Sequence, residues 1–533
     1  MNLTLHPKQQ AVVDWAKSGT GSAFGEAVAG AGKTTTALMA VAEMDGFVSV
    51  MAYNKAAATE FVTKARKLGL NFGNKVRFGT CHSFGLGGWR RAYPRVKVDD
   101  KLKTQKTIDA FRAAGAPKQL DGFVLKLVSL AKQQALGLFG DVNDRSEWYK
   151  IVDHHDLAYE LDVDDSDDAP ALCDPLPANG KPRYVATVES GIELAIRTLE
   201  YHVKLAPTLV NFDDMIYMPI ISNIRMFECD WIVGDEWQDA NAARRALVRK
   251  MLRRGGRALF IGDRHQAIYG FTGADNDSID HTIREFNCIE LPMTVSFRCP
   301  KAVVAEARKT VSHIEAHEDA PEGKVSTLTA AELLNKNYLT TLTATDAILC
   351  RKTKPLIDVA YALIRNGVAC HVEGREIGQG LLKLVDRFAR SKSLDTLRDK
   401  MDAWAEAECA KLIAKGRETQ AENLMDRVET IKAIMDSVPP AATVQELRDR
   451  IAAMFVNADD QAKPTLTLST VHKAKGREWP RVFILGRYDY MPSKWARQDW
   501  QQEQESNLIY VSVTRAQQEL VYITEVENGQ KPQ

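Results

Sequence analysis

Nowhere in its 533 residues does the chain carry an apolar run approaching the roughly 18 residues that a membrane-crossing helix needs. The opening stretch, Met1 to Lys8, has no apolar core of signal-peptide length either. These absences lead us to expect a soluble, intracellular protein with no membrane partner. An excess of one charge is also missing: Lys plus Arg and Asp plus Glu each number 70, so the formal net charge is zero. No global field draws the chain to a polyanion, and any nucleic-acid site must be a local patch. The eight cysteines are scattered without a Cys-x-x-Cys pair. That argues against a zinc ribbon, an iron–sulfur cluster or a disulfide framework, and in favour of reduced core residues. Internal repeats and low-complexity segments are lacking as well.

What is present is ordinary globular material, 45% hydrophobic and 26% charged, in a chain long enough for several packed units. Short continuous apolar runs recur between helix-like stretches: Val48–Ala52, Trp231–Gly234, Ala258–Ile261, Ala347–Cys350, Leu466–Leu468 and Val482–Leu485. Continuous rather than alternating runs suit strands buried on both faces, which predicts an α/β chain with parallel sheets covered by helices. The runs fall into two groups, roughly 22–290 and 340–525, each interrupted by a stretch of different character. The first interruption, 85–210, reads as helices such as that through Phe123–Val128, plus an acidic loop from Asp156 to Asp168. In the second, 381–463, apolar residues at Leu394, Leu397, Met401 and Trp404, then Leu424, Val428 and Ile431, predict a helical hairpin broken near Gly416. Thr443-Val444-Gln445-Glu446 is a capping box ahead of a third helix carrying Leu447, Ile451 and Met454.

The strongest local signal is Ala27-Val28-Ala29-Gly30-Ala31-Gly32-Lys33-Thr34, between an apolar stretch and the helix-like Thr35–Ala40. Small residues let backbone N–H groups wrap phosphates, a lysine reaches the β/γ oxygens, and a hydroxyl binds Mg²⁺. This predicts a phosphate-binding loop for ATP formed by Ala29, Gly30, Ala31, Gly32, Lys33, Thr34 and Thr35, with Thr34 a ligand of Mg²⁺. Such a site needs a second carboxylate at a strand end, and Asp235-Glu236 directly follows Trp231–Gly234. Asp235 is the metal candidate, and Glu236 the general base for the attacking water.

A third strand runs into Gly262-Asp263-Arg264-His265-Gln266-Ala267-Ile268-Tyr269-Gly270-Phe271. This resembles the third motif of the UvrD/Rep/PcrA branch of superfamily one DNA helicases. Further motifs of that family then follow in order: Leu5–Ala11, Ala52–Ala58, Gly79–His82, Ser296–Arg298, Ser469–Trp479 and Tyr510–Ala516. The resemblance implies two RecA-like P-loop NTPase lobes, each with an inserted helical subdomain. Lobe 1A would be residues 1–84 plus 211–290, subdomain 1B 85–210, lobe 2A 291–380 plus 464–533, and a short subdomain 2B 381–463.

By the same resemblance, Gln9 reads adenine, Phe297 stacks on it, Gln266 senses the γ-phosphate, and Gly476 and Glu478 lie at the nucleotide, the latter on the ribose. Arg298 and Arg515 would be arginine fingers, stabilising charge that develops on the transferring phosphoryl group. Single-stranded DNA, which needs sequence-blind stacking and phosphate grips, would be held by Tyr53, Asn54, Thr80, His82, Phe271, Arg351, Thr470 and His472. Three departures stand out: Thr272 replaces an Arg common in relatives, Arg264-His265 replaces acidic residues, which should make that loop more positive, and the second insertion, 381–463, is much shorter than relatives usually carry.

The expectation is therefore an Mg·ATP-dependent, 3′-to-5′ DNA helicase or single-strand translocase. It would be monomeric and cytoplasmic in a bacterial or phage-infected cell, act on single strands and junctions, and serve repair, recombination or replication. Alternatives are a translocase that strips proteins but unwinds weakly, an ATP-switched clamp, and an RNA motor.

Overall fold

The computed structural model describes residues 4–155, 157–161, 184–268, 277–414, 418–439, 441–456, 465–494, 496 and 498–524. Phe271, Thr272, Gly416, Cys173 and most of the acidic tract 156–168 lie outside the described residues. The chain divides into two compact units: Met1–Ala27, Lys33–Arg264 and Tyr269–Met293 form one, and Val28–Gly32, His265–Ile268 and Thr294–Gln533 the other.

The first unit is built on six strands: β1 (Ser22–Ala27), β2 (Val48–Ala52), β3 (Val76–Thr80), β4 (Cys229–Gly234), β5 (Leu252–Gly262) and β6 (Cys288–Met293). They pair in the order β3-β2-β4-β5-β1-β6, and every pairing is parallel. The fully buried Val48–Ala52 confirms that a continuous apolar run marks a strand covered on both faces. In an all-parallel sheet every carboxyl end faces the same edge, so the residues after β1, β2, β3, β4 and β5 gather there.

Between β3 and β4 the chain makes a helical insertion whose members include α1 (Asp100–Ala113), α2 (Leu120–Gln133), α3 (Arg145–His154), α4 (Val188–Leu205) and α5 (Phe212–Ile221). Its apolar residues, among them Phe123, Leu127 and Trp148, are continuous with the sheet residues Phe24, Ile232 and Phe260 in one core. Four of these helices are also joined by a buried polar network. Asp214 on α5 accepts from Lys132 Nζ on α2 at 2.7 Å and pairs with Lys103 on α1. Lys132 Nζ lies 2.8 Å from His202 Nδ1 on α4, and His202 Nε2 lies 2.9 Å from Thr107 Oγ1 on α1. The ammonium can only donate, so Nδ1 accepts and Nε2–H donates to Thr107, whose hydroxyl donates in turn to the Lys103 carbonyl at 2.8 Å. Burial, reinforced by Lys132 and Lys103, pushes His202 down to about 2, so the ring is neutral.

The second unit carries a parallel sheet of seven strands: β7 (Lys324–Thr329), β8 (Ala347–Cys350), β9 (Cys370–Glu373), β10 (Phe455–Val456), β11 (Leu466–Thr470), β12 (Trp479–Leu485) and β13 (Ala516–Thr524). Their order is β7-β13-β12-β8-β11-β9-β10. The predicted hairpin is formed by helices Leu394–Ala414 and Glu418–Asp436, whose Leu397, Met401, Val428 and Ile431 are fully buried. A third helix, Val444–Met454, follows, with Thr443 and Glu446 capping it reciprocally.

Both sheets are parallel and flanked by helices, as expected. Among the described residues no helix is long and apolar enough to cross a membrane. Of the described cysteines, Cys81, Cys229, Cys299, Cys350 and Cys409 are buried, Cys288 and Cys370 are half-buried, and all are free.

Candidate nucleotide and strand-binding sites

In the first unit the helix Lys33–Glu43 starts after the loop that leaves β1, and Lys33 stands in its first turn. Its Nζ lies 2.7 Å from Glu236 Oε1. Asp235 and Glu236 follow β4, and Asp263 follows β5, so the carboxylates around this ammonium come from two neighbouring strand ends, beside the β1 end from which the loop to Lys33 leaves. Burial works against the charged lysine, but Glu236, Asp235 and Asp263 together outweigh it and hold Lys33 above the ordinary lysine value. Asp235 is pushed the other way for a carboxyl, up to about 7, by burial first and by the Glu236 carboxylate second, with Lys33 opposing. Its Oδ1 is buried and accepts no hydrogen bond among the described residues. A bare carboxylate oxygen of this kind fits a hard divalent cation, and the half-buried Thr34 beside Lys33 supplies a hydroxyl of the right chemistry.

Glu236 is held in a left-handed backbone conformation, φ 50° and ψ 45°, which a non-glycine residue adopts at a cost of about 1–3 kcal/mol. Its second oxygen accepts from Gln238 Nε2 at 2.6 Å, and Gln238 Oε1 accepts the backbone N–H of Asp263 at 3.1 Å. Gln238 is 1% exposed and thus fixes Glu236 to the end of the neighbouring strand. Sequence reasoning assigned no role to Asp263, which stood within the quoted third motif, or to Gln238, two residues after Glu236; their convergence becomes visible only once β4 and β5 are neighbours.

Around these carboxylates lie the nominated strand residues of the first unit. Tyr53 is partly exposed, and the Arg244 guanidinium sits 5.5 Å from its ring centroid. Tyr53, His82, Asp235, Glu236 and Arg244 line one crevice. Burial, with Arg244 adding to it, pushes His82 down to about 4, so the ring is neutral. Asn54 and Thr80 cap helices Lys55–Lys67 and Cys81–Ala92, accepting from Ala57 N–H at 2.8 Å and Ser83 N–H at 3.1 Å. Gln9 likewise has a local task, its Oε1 accepting His6 N–H at 3.1 Å in a capping box. Arg264 was expected to make its loop more positive; instead it pairs with Glu26 at 2.6 Å and Asp280 at 3.3 Å, which neutralise it.

The second unit holds the remaining candidates. Gly30 has φ +75°, and a Cβ there would fall 2.5 Å from Arg298 Cβ, so only glycine fits. Its carbonyl accepts Phe297 N–H at 2.9 Å, and Ala29 N–H donates to the buried Tyr510 hydroxyl at 2.8 Å. Gly32 and Gly476 also have positive φ, and Ala31 N–H closes a turn onto Val28 O at 3.2 Å. The exposed Phe297 ring lies 5.0 Å from that of His317. Arg298 pairs with Glu478, which also accepts from Gln517 Nε2 at 2.9 Å. Arg515 is 1% exposed, and its Nε, Nη1 and Nη2 donate to Val511 O, Arg477 O and Thr514 Oγ1 at 2.9, 3.1 and 3.1 Å. Gln266 is buried, and its carbonyl accepts from Lys475 Nζ at 2.6 Å. Arg351 donates twice to Glu505 Oε1, at 3.0 and 2.8 Å. His472 is pushed down to about 3 by burial, then by Arg351 and Lys475, and Thr470 ends the buried strand β11.

The family model of the UvrD/REP helicase N-terminal domain matches residues 5–287, and that of the UvrD-like helicase C-terminal domain matches 375–527. The chain belongs to the UvrD/Rep helicase family. Among curated UvrD-type relatives, the ATP-dependent DNA helicase UvrD2 of Mycobacterium bovis is 24% identical over 356 residues, covering 58% of this chain and 50% of that protein. The probable DNA helicase II homolog of Mycoplasma genitalium is 22% identical over 417 residues, 62% of this chain and 58% of its own. The ATP-dependent DNA helicase PcrA of Bacillus subtilis is 27% identical over 158 residues, 28% of this chain and 21% of that one. The chain spans about half the length of the first curated relatives it matches.

Proposed function

We propose that this UvrD/Rep-family chain is an ATP-driven motor on single-stranded DNA, a helicase or translocase. The observation that carries the reading is Lys33 set among Asp235, Glu236 and Asp263 at two adjacent strand ends. A lysine so placed exchanges carboxylates for the β/γ oxygens of a nucleotide without leaving its position. When a phosphate takes Lys33, Glu236 Oε1 is released, while Gln238 still holds Oε2. The freed oxygen then orients a water and takes its proton as the water oxygen attacks the γ-phosphorus and the bond to the β–γ bridging oxygen breaks. Thr34 and Asp235 would hold Mg²⁺, whose contribution is to neutralise charge on the phosphates.

Gln266 reports the γ-phosphate, Arg298 and Arg515 stabilise the transferring group, and Gln9, Phe297, Gly476 and Glu478 hold the nucleoside. Tyr53 offers a stacking face to any base, with Asn54, Thr80, His82, Arg351, Thr470 and His472 as polar grips. In this reading the first sheet and its helical insertion are lobe 1A and subdomain 1B, and the second sheet and its hairpin are 2A and 2B. The family resemblance supports 3′-to-5′ movement by a monomer in repair, recombination or replication.

The test is steady-state ATPase with and without single-stranded DNA or RNA, at stated salt because phosphate contacts are screened, with Lys33→Ala as control. Stimulation by DNA and loss of turnover in Lys33→Ala, with strand binding kept, are expected. Turnover indifferent to either polymer, or surviving in Lys33→Ala, would sink the reading.

A further inference from the structure

The first unit contains a cavity of about 960 Å³ between the helical insertion and the two helices Ala242–Met251 and Ser278–Phe286. Lys150, Arg245, Arg249 and Arg284 line it, against a single carboxylate, Glu285. That carboxylate is already shared, accepting from Arg245 Nε and from Arg249 Nε at 3.2 Å each. Lys150 Nζ also donates to Glu147 Oε1 at 2.6 Å, outside the lining, so four cations stand to two carboxylates, still a local excess in a chain with 70 cationic and 70 acidic side chains. Phe139, an aromatic ring left 58% exposed, lies in the same wall. Cations interleaved with an exposed aromatic are what a sequence-blind strand site combines.

The cavity also connects to the candidate strand residues. Gln133 and Asn241 line both it and an adjoining pocket of about 180 Å³, whose wall includes His82, Lys132 and Arg244. His82 and Arg244 in turn line the crevice that holds Tyr53 and Glu236. The result is a chain of cavities that begins at Tyr53 and ends at Phe139.

We propose that this cavity takes a further segment of the nucleic-acid strand, its phosphodiesters on Lys150, Arg249 and Arg284 and a base on Phe139. The proposal rests on the reading of Tyr53 and His82 as strand-binding. It assigns to the junction of the insertion and the sheet a subsite engaged only by strands long enough to reach it.

The test is the double variant Lys150→Ala/Arg284→Ala, both exposed side chains outside the nucleotide site. Binding of oligothymidylates of increasing length is followed by fluorescence anisotropy at several salt concentrations. Each single-strand phosphate contact contributes roughly 0.7 to the slope of log affinity against log salt. Beyond a threshold length the variant is expected to lose about 1.4 of that slope, and roughly 25-fold in affinity at about 0.1 M salt. Shorter oligonucleotides should bind variant and wild type alike, and Phe139→Ala should weaken only the long ones, with the slope unchanged.

Identical slopes at every length would overturn the assignment, as would an equal loss at the shortest length. If the wild type binds no oligonucleotide at all, the proposed function fails and takes this subsite with it. If the wild type binds and the variant matches it, only the subsite falls. Fluorescent ADP bound to Lys33→Ala protein in a manner dependent on Lys150 and Arg284 would identify a free nucleotide as the occupant and overturn the strand assignment.

Discussion

Replacing Asp214 with Asn leaves two lysines, 1% exposed each, without the carboxylate that pairs with both, though the field of Asp213 still reaches them. The shape is kept, and the Asn carbonyl oxygen can still accept Asn211 N–H, which Asp214 Oδ2 now accepts at 2.9 Å. What is lost is the negative charge at the centre of a network tying α1, α2, α4 and α5. Removing one partner of a buried ion pair typically costs about 3–5 kcal/mol, because the remaining charge is stranded away from water. Against a total stability of about 5–15 kcal/mol, that is a third or more of the margin.

The loss should depend on pH in a definite sense. Burial, with Lys132 adding to it, already lowers Lys103 to about 8, and Asp214 is what limits the fall. Without Asp214 the folded-state Lys103 titrates lower still, while that of the unfolded chain keeps its ordinary value. The unfolded state then binds more protons through the neutral and mildly alkaline range, so the variant gains stability relative to wild type as pH rises. Denaturant unfolding at pH 7 and pH 9.5 measures both effects. Lys103→Met in the Asp214→Asn background should recover part of the loss at pH 7. A decrease below about 1 kcal/mol at pH 7, or one that does not narrow by pH 9.5, would refute the reasoning.

Two further outcomes concern the nucleotide residues. Asp235→Asn should stabilise the metal-free protein at pH 8 but not at pH 5. The folded carboxyl titrates near 7, above its ordinary 3.8, so its protonated form supports folding at low pH and that support is lost as pH rises through 7. The difference should be on the order of a few kcal/mol by denaturation in chelator, and equal effects at the two pH values would contradict it. Arg298→Ala should lower kcat by roughly 10²–10³ or more, the worth of one transition-state donor, with nucleotide affinity much less affected. A kcat within tenfold of wild type in a single-turnover assay would remove Arg298 from the phosphoryl-transfer role.

Which parts of the molecule were legible in sequence follows from where their causes lie. Val48–Ala52 and Ala347–Cys350 are apolar because helices cover both faces, a cause local to each strand, and both were read correctly. Lys324–Thr329 is mostly polar at the sheet edge, with Val325 and Leu328 its apolar residues, and Leu252–Arg257 is an exposed, glycine- and arginine-rich extension of β5; neither has that signature. Lys33, Asp235 and Glu236 announced themselves through spacing. The left-handed backbone of Glu236 and the Gln238 bond to Asp263 depend on strand order, which no local pattern states. Lys103 and Asp214 are 111 residues apart, and nothing near either predicts the other. Asn54 and Thr80 carry a signal with two causes, since a cap at a strand end and a strand-contacting residue have the same composition.

Arg515 has a consequence of another kind. Each of its three nitrogens donates to an acceptor of its own unit, so the plane of the guanidinium is fixed without any phosphate. A planar fork held in this way has little side-chain freedom left to lose when it makes a further contact. Its charge therefore travels with the unit that holds it, as part of the frame rather than on a flexible stem.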